Sequence, residues 1–167
     1  MKNLGEIVLR KLSKEEYLSL HELRNSEPYL KYDHPERPLA SKAEEETFWE
    51  KYVISGAYLF WGIYTAKDIE LVGVINAFSF SKDAQTCETG INIFPPQNFG
   101  KGHGLQAYLQ LHEILLKELG IKYTYIMTSP ENKPALKLYG KLGYFDGGQV
   151  DDEGFTWQVM KYKFGLD

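Results

Sequence analysis

The sequence has little of three features that would otherwise direct its interpretation. Cys87 is the only cysteine among 167 residues, so an intrachain disulfide and a cysteine-based zinc site are both excluded. The longest apolar stretch, 57–64, is interrupted by Gly62 and is too short to cross a bilayer. The start of the chain has no apolar segment typical of a signal peptide. These absences predict a cytoplasmic protein of a reducing compartment that does not contact a membrane.

The chain also lacks a strong charge imbalance. Its 19 Lys and Arg residues stand against 23 Asp and Glu residues, which gives a formal net charge of −4. Without a dense basic cluster, binding to nucleic acid is not expected. His21 and His112 are isolated on helical segments, and no metal site is predicted. What is present is an ordinary apolar fraction of 43%, which predicts one soluble globular domain over residues 1–167.

The pattern of apolar residues, caps and turns predicts an alternation of strands and helices. Capping boxes at Ser13–Glu16 and Ser41–Glu44 begin the first two helices, and the Pro-rich segment 26–41 is predicted to be a loop. The predicted elements are, in chain order, a strand at 6–12, helices at 14–25 and 41–52, strands at 57–65, 71–81 and 87–94, a helix at 104–119, a strand at 122–127, a helix at 132–142, and strands at 144–149 and 154–163. This order predicts an α+β fold with a mixed sheet and helices on its faces.

A glycine-rich turn connects the predicted strand at 87–94 to the long predicted helix at 104–119. Gly100, Gly102 and Gly104 allow unusual backbone conformations and a close approach of a ligand to the main chain. Several N–H groups can therefore point at one anion, assisted by the positive end of the helix dipole. Lys101 would add a charge. The turn is suited to a pyrophosphate group.

Two nucleotide-binding patterns fit this turn poorly. A P-loop requires Gly-Lys followed by Ser or Thr, whereas Gly102 is followed by His103. A dinucleotide fingerprint requires an acidic residue after the next strand, which here ends in Thr128 and Ser129. A nucleotide-dependent reductase is therefore a distant alternative. The pyrophosphate of coenzyme A and a turn without a ligand remain open on the turn alone.

A second motif, Asn132-Lys-Pro-Ala-Leu-Lys-Leu-Tyr-Gly-Lys-Leu-Gly-Tyr144, lies one strand further along the chain. Together with the turn, it resembles the GNAT superfamily of N-acetyltransferases, whose helix is patterned Asn-x-x-Ala-x-x-x-Tyr-x-Lys-x-Gly-Phe. Short N-terminal markers, such as Leu23-Arg24-Asn25 and Phe48-Trp49, are similar to the group of ribosomal-protein alanine and amino-sugar acetyltransferases. The resemblance implies a GNAT-like, mostly antiparallel sheet of about seven strands flanked by about four helices.

The resemblance also implies a set of residues that bind acetyl-CoA. The family's Gln or Arg at the head of the turn falls on Phe99 when Gly102 and Gly104 are aligned with its final glycines, and a registration on Gln97 starts the helix too early. The pantetheine arm is expected at the backbone of one strand end, the pyrophosphate at the turn, and the side chain of the second motif's first residue on the pantetheine. These expected cofactor-binding residues are Asn92, Ile93, Phe94, Phe99, Gly100, Lys101, Gly102, His103, Gly104, Leu105, Asn132 and Tyr139.

Two residues are expected to carry the chemistry. A phenol with a pKa near 10 can protonate the departing thiolate at neutral pH, which makes Tyr139 the expected general acid. Glu88 is expected to deprotonate the incoming ammonium, either directly or through a water. Cys87 alternates with Glu88 along the strand and is expected to be a small core residue.

The expected activity is acetyl-CoA-dependent N-acetylation of a primary amine by direct attack in a ternary complex. The acceptor, a small molecule or a peptide, is left open between a protein N-terminus, an amino sugar and a polyamine. By the resemblance, segment 26–41 helps to form the acceptor site through Tyr29, Tyr32, Asp33 and His34, supported by Arg24 and Asn25. The alternative function is a non-catalytic acyl-CoA-binding module. The oligomeric state is open, with a homodimer as one compatible arrangement.

Overall fold

The computed structural model describes residues 6–94 and 96–165, which form one seven-stranded sheet in the order β1-β2-β3-β4-β5-β7-β6. Its strands are β1 (Ile7–Lys11), β2 (Tyr58–Thr65), β3 (Leu71–Ser81), β4 (Thr86–Ile93), β5 (Tyr123–Thr128), β6 (Phe145–Asp152) and β7 (Phe155–Lys163). All neighbouring pairs are antiparallel except β4 and β5, which are parallel. The predicted α+β fold with a mixed, mostly antiparallel sheet is confirmed.

The described residues include six α-helices, where the sequence predicted about four. They are α1 (Lys14–Ser19), α2 (His21–Arg24), α3 (Glu27–Leu30), α4 (Lys42–Phe48), α5 (His103–Lys117) and α6 (Lys133–Leu142). Both predicted capping boxes are present, with the side chains of Ser13 and Ser41 accepting from the third residue of their helices. Helix α4 continues as a π-helix over Trp49–Val53. None of these helices is long and apolar enough to span a membrane.

The prediction of one continuous helix over 14–25 was wrong, because the structure has two short helices there. The backbone leaves helical geometry at Leu20, between α1 and α2. Just before this break, the Ser19 hydroxyl donates to the Glu16 carbonyl oxygen at 2.6 Å. A serine that bonds the backbone of the preceding turn competes with the helical hydrogen bonds, which favours a break.

The prediction of a loop throughout 26–41 was also wrong in part. Helix α3 forms one turn here, and Pro28 is its second residue. Proline is tolerated there because the first N–H groups of a helix have no helical partner. The short helix places Tyr29 against the sheet, so this segment contributes to the site described below.

Apolar side chains form one core on each face of the sheet. The larger core lies between the sheet and α5, whose buried residues Ala107, Tyr108, Leu111 and Leu115 recur at helical spacing. The smaller core packs Tyr17 and other side chains of α1 and α4 against the opposite face of β3. The sheet is therefore covered on both faces, and α5 and the N-terminal helices lie on opposite sides of β4.

Helix α5 also covers the outer edge of β1. The Gln106 and Gln110 side chains accept hydrogen bonds from the backbone N–H groups of Ile7 and Leu9, each at 3.1 Å. Gln110 Nε2 donates to the Ile7 carbonyl oxygen at 2.8 Å. These side chains pair backbone groups that an edge strand would otherwise expose. They fix the position of α5 across the sheet, and with it the direction of its N-terminus.

Candidate active site

The central feature of the site is the separation of β4 from β5. The two strands pair at three successive positions, ending with Glu88 opposite Tyr125. Beyond that pair β4 continues to Ile93 and β5 to Thr128, without pairing to each other. Strand β4 stays paired with β3 up to Ile93, so only its β5-facing edge is free. From Thr89 onwards, this edge can accept an extended ligand as an added strand.

The glycine turn lies beyond the free edge and ends at the N-terminus of α5. Gly100 and Gly102 have φ values of 72° and 82°, a left-handed conformation that favours glycine. Gly102 is the N-cap residue, and no side chain caps this helix. The first N–H groups of α5 therefore have no partner within the helix and can receive an anion. Gly104 allows close packing, since a Cβ there would lie 3.1 Å from Leu138.

The remaining residues of the turn differ in exposure. Phe99 is 55% exposed at the head of the turn. Lys101 is exposed, whereas the His103 side chain is 5% exposed and turned inwards. Burial, and then the charge of Lys101, lowers the pKa of His103, so its imidazole is favoured in the neutral form. Its Nδ1 atom is buried and has no hydrogen-bond partner within the described part of the chain. Contact of these residues, and of Leu105, with a cofactor stays a prediction.

Asn132 is the N-cap of α6. Its Oδ1 atom accepts from the Ala135 N–H at 3.3 Å, and its Nδ2 atom donates to the Thr128 hydroxyl at 3.1 Å. The side chain thus joins the start of α6 to the last residue of β5, on the far side of the opening from β4. This position agrees with the predicted contact to pantetheine without testing it.

Tyr139 lies on the buried face of α6 and is 3% exposed. Burial raises the pKa of its phenol to about 12, while a hydrogen bond with Tyr108 opposes that rise. The phenol is therefore protonated at neutral pH, as a general acid must be. The Tyr108 hydroxyl lies 3.3 Å from Thr89 Oγ1. Thr89 is the first residue of β4 beyond the pairing with β5, so Tyr139 is connected through one side chain to the start of the free edge.

The chain of polar groups extends beyond Thr89. The Thr89 side chain also hydrogen-bonds Tyr144. The Tyr144 hydroxyl in turn lies 2.8 Å from His112 Nε2. Burial lowers the pKa of His112 to about 4, so this imidazole is neutral. We call these five residues the hydroxyl chain: Tyr139, Tyr108, Thr89, Tyr144 and His112. All are at most 8% exposed.

The sequence alone did not identify Tyr108, Thr89, Tyr144 and His112 as members of the hydroxyl chain. Tyr108 and His112 are four residues apart on α5, a spacing that places them on the same helix face. That spacing was the only local signal available. Thr89 contacts Tyr108 across 19 positions of the sequence, and Tyr144, the last residue of the second motif, contacts His112 across 32 positions.

Glu88 lies on the opposite face of β4, at the last position paired with β5. Burial raises the pKa of its carboxyl group, and a hydrogen bond with Tyr125 opposes that rise. Burial and the Glu88 charge raise the pKa of Tyr58 on β2, which lies on the same face of the sheet. A carboxylate with a raised pKa accepts a proton more readily, which suits the role of a base.

The end of β4 carries the other predicted cofactor residues. The Asn92 side chain donates to the Tyr29 hydroxyl at 2.9 Å, which ties β4 to α3. Ile93 packs against the α5-side core, while Phe94 is buried in the core of the N-terminal helices. Since these side chains are engaged in packing or a hydrogen bond, the backbone remains their predicted means of contact with pantetheine.

Segment 31–40 lies against the hairpin of β6 and β7. His34 Nε2 is 3.1 Å from the Asp152 carbonyl oxygen, and the His34 ring packs on Phe155 at 5.2 Å. His34 Nδ1 accepts from the Glu36 N–H at 3.1 Å, so the proton of the neutral ring resides on Nε2. The structure therefore places the segment in which the acceptor site was expected against this hairpin.

Arg24 and Asn25, which were expected to support the acceptor segment, contact α4 and residue 40. Arg24 forms two hydrogen bonds, of 2.9 and 2.7 Å, with the buried carboxylate of Glu45 on α4. Its guanidinium also lies 4.0 Å from the centre of the Tyr17 ring. Asn25 Nδ2 donates to the Ala40 carbonyl oxygen at 3.1 Å. These contacts hold α2, α4 and segment 31–40 together.

Two expected absences of reactive groups can be examined in the structure. Cys87 is fully buried, and burial raises the pKa of its thiol to about 11, which disfavours the nucleophilic thiolate. Within residues 6–94 and 96–165, no group of three or more His, Cys, Asp or Glu side chains is arranged to hold a metal ion. Cys87 is therefore the small core residue that the sequence predicted.

An aromatic groove of about 990 Å³ opens at the end of the sheet opposite the glycine turn. Phe48, Tyr52, Tyr58 and Phe78 contribute aromatic walls. Tyr58 stacks on Phe78 with ring centres 4.3 Å apart, and Phe78 pairs with Glu88 across β3 and β4. The groove thus reaches the neighbours of Glu88 but lies away from the α5 N-terminus.

Known proteins resemble this chain over nearly its whole length. A family model described as an acetyltransferase (GNAT) domain matches residues 6–144. Spermidine N(1)-acetyltransferase from Vibrio cholerae is 23% identical over 151 residues, which cover 90% of this chain and 86% of the relative. A crystal structure of the Vibrio cholerae spermidine N-acetyltransferase with CoA and spermine has a TM-score of 0.82 and 21% identity, over 94% and 95% of the two chains. A domain from Methanocaldococcus jannaschii has a TM-score of 0.79 and 18% identity, over 96% and 99%.

Proposed function

The chain belongs to the GNAT family of acetyltransferases, and from that premise we propose that its acceptor is an aliphatic polyamine. The protein is an acetyl-CoA-dependent N-acetyltransferase, which transfers an acetyl group to a primary amine. This confirms the activity and the co-substrate that the sequence predicted. The observation that carries the proposed site is the connection of Tyr139 to the point where β4 and β5 separate.

The described residues fit acetyl-CoA as an extended ligand with an anionic group. The free edge of β4 offers unpaired backbone groups to the amides of pantetheine, and Asn92, Ile93 and Phe94 lie along it. The uncapped N-terminus of α5 offers N–H groups to the pyrophosphate. When bound, acetyl-CoA supplies an acyl group activated as a thioester. The binding and proton-transfer roles belong to backbone groups and side chains of this protein.

Tyr139 is proposed as the general acid of the reaction. It is protonated at neutral pH and reaches the start of the free edge through Tyr108 and Thr89. A proton from its phenol would neutralise the sulfur that leaves when the amine attacks. Burial among hydrogen-bonded hydroxyls keeps the phenol in one orientation.

Glu88 is proposed as the base, acting directly or through a water. An amine attacks only after it has lost a proton, and at neutral pH an aliphatic amine is mostly protonated. Glu88 lies one residue before Thr89 and on the opposite face of β4, so acid and base approach the same part of the strand from opposite sides. This separation lets one proton be taken from the acceptor and another be given to the thiol.

Two observations favour a polyamine over a peptide or an amino sugar as the acceptor. The curated relative and the solved CoA complex are both spermidine acetyltransferases. The groove beside Glu88 is lined by Tyr58, Phe78 and Phe48, whose ring faces attract ammonium groups. Cytoplasmic localisation, a single domain over the full chain and a homodimer remain proposals beside this one.

The experiment is an assay of thiol release from acetyl-CoA with spermidine, spermine, an amino sugar and a peptide with an N-terminal alanine. We expect turnover with the polyamines. We expect the Tyr139→Phe variant to lower kcat about a hundredfold, with an unchanged KM for acetyl-CoA, because the phenol acts on the leaving group. Tyr123→Phe is the control, since this tyrosine is 41% exposed at the start of β5.

Three results would contradict parts of the proposal. Tight binding of acetyl-CoA without turnover on any amine would favour the non-catalytic module. Turnover with the peptide or the amino sugar alone would move the acceptor away from polyamines. An unchanged kcat in Tyr139→Phe would remove Tyr139 from the mechanism.

A further inference from the structure

One buried polar atom on the Glu88 face of the sheet has no partner. Asn76 on β3 lies directly opposite Gly90 on β4. Its Oδ1 atom is buried and has no hydrogen-bond partner among the residues that the structure describes. Buried polar atoms in native proteins are nearly always paired, so such an exception needs an explanation.

The position of this oxygen is set by the absence of a side chain at Gly90. A Cβ atom on Gly90 would lie only 2.9 Å from Asn76 Oδ1, so the carboxamide occupies the space above that glycine. Gly90 is the second residue of β4 beyond its pairing with β5. The oxygen therefore lies over the start of the free edge, where the acyl group and the amine must meet.

Glu88 and Asn76 share this face of the sheet. Glu88 is two residues before Gly90 on β4, and in a strand residues two apart point to the same side. Phe78, which pairs with Glu88, is likewise two residues after Asn76 on β3. The Glu88 carboxylate and the Asn76 carboxamide thus lie on one face of the sheet, two residues apart in the β3–β4 register, and both carry acceptors suited to the N–H groups of an amine.

We propose that the carboxamide oxygen of Asn76 binds the acceptor amine beside Glu88, and so orients its nitrogen towards the free edge of β4. This inference rests on the proposed N-acetyltransferase function and adds the acceptor subsite to it. Glu88 takes the proton, and Asn76 holds a remaining N–H of the same nitrogen. The side chain of Asn76 is half-buried, so one side of its carboxamide is open. The oxygen has no hydrogen bond within the described residues, so a rotation about χ2 turns it to the open side without breaking one.

The test uses the Asn76→Leu variant, which keeps the branching at Cγ and removes the oxygen. We expect the KM for spermidine to rise roughly tenfold, as for the loss of one hydrogen bond to a charged group, while the KM for acetyl-CoA stays unchanged. The melting temperature should stay the same or rise, because the variant removes a buried acceptor that has no partner in the free protein. A purely structural role of Asn76 predicts instead a lower melting temperature.

Two further variants separate the oxygen from the amide and from general destabilisation. Asn76→Asp retains an acceptor oxygen, so its KM for spermidine should stay within about threefold of the unmodified protein. Thr124→Val removes a buried hydroxyl that donates to the Cys87 carbonyl oxygen at 3.0 Å on the other face of the sheet. It should lower the melting temperature and leave both KM values unchanged.

The outcomes distinguish this inference from the function on which it rests. Absence of turnover by the unmodified protein on every amine would overturn the proposed function. Turnover with an unaltered spermidine KM in Asn76→Leu would overturn the role of Asn76 alone. Equal increases of both KM values, or an Asp variant as impaired as the Leu variant, would also overturn it.

Discussion

The polar groups on the two faces of β4 differ in how completely they are hydrogen-bonded within the protein. On the face towards α5 and α6, Thr89 belongs to the hydroxyl chain, in which each buried group has a hydrogen-bond partner. On the opposite face, Asn76 Oδ1 has no partner among the described residues, and the hydrogen bond of Glu88 to Tyr125 does not prevent burial from raising the pKa of Glu88. The hydroxyl chain is satisfied within the protein, whereas the Glu88 face is left partly unsatisfied.

With the roles proposed for Tyr139 and Glu88, this difference corresponds to the two halves of the reaction. A general acid must stay protonated and in one orientation, which a complete hydrogen-bond network provides. A binding site for an amine needs lone pairs on acceptor atoms that the protein does not already use. The energetic cost of the unpaired oxygen is thus confined to the face where a substrate can remove it.

The largest effect is expected from a substitution on the Glu88 face of β4. Glu88→Gln should lower kcat/KM for spermidine about a hundredfold at neutral pH, because the amide cannot accept the ammonium proton. In the unmodified protein, kcat/KM should fall on the acid side as Glu88 is protonated at its raised pKa. Steady-state kinetics across pH measures both effects. Glu118→Gln, at an exposed carboxylate after the end of α5, is the control.

The same variant should be more stable than the unmodified protein at neutral pH. A raised pKa means that folded Glu88 binds a proton more tightly than the unfolded chain, so its contribution to stability is lost as the pH rises through that pKa. Glu88→Gln removes this cost, and thermal melts should show the difference disappear in acid. A variant that is both active and less stable at neutral pH would show Glu88 to be a structural residue.

The next effect is a loss of stability in acid that originates at His112, on the face of β4 towards α5 and α6. The pKa of His112 is lowered from 6.5 to about 4, so the unfolded chain binds this proton more tightly and stability falls as the pH drops from about 6.5 towards 4. The loss should be on the order of 2–3 kcal/mol. Denaturant titrations across this window should show a shallower dependence in His112→Gln, which cannot titrate. An unchanged slope would contradict the burial of a neutral imidazole.

The smallest effect compares two buried threonines. Thr89→Val interrupts the hydroxyl chain and should lower kcat about five- to tenfold, the equivalent of roughly 1 kcal/mol in the orientation of Tyr139. Thr124→Val removes a buried hydroxyl outside the chain and should leave kcat unchanged. Equal values of kcat in the two variants would show that the chain serves only the packing of the core.

Local sequence signals accounted for most of the fold. The capping serines and the bounds of β3 were both interpreted correctly from the sequence. The errors fell at 14–41, where the bond of the Ser19 hydroxyl to the backbone and the position of Pro28 decide whether a helix continues. Both depend on hydrogen bonds within a single turn, which periodicity does not resolve.

The sequence by itself determined the family, the co-substrate and the identity of Tyr139 and Glu88 as candidate acid and base, because motifs are local and keep their spacing along the chain. Tertiary structure alone decided which partners surround them. Thr89 meets Tyr108, and Asn76 lies over Gly90, only because β3, β4 and α5 are assembled in one register. Such contacts join residues 14 to 32 positions apart, and whether a buried atom is paired or free depends on that assembly rather than on the residue itself.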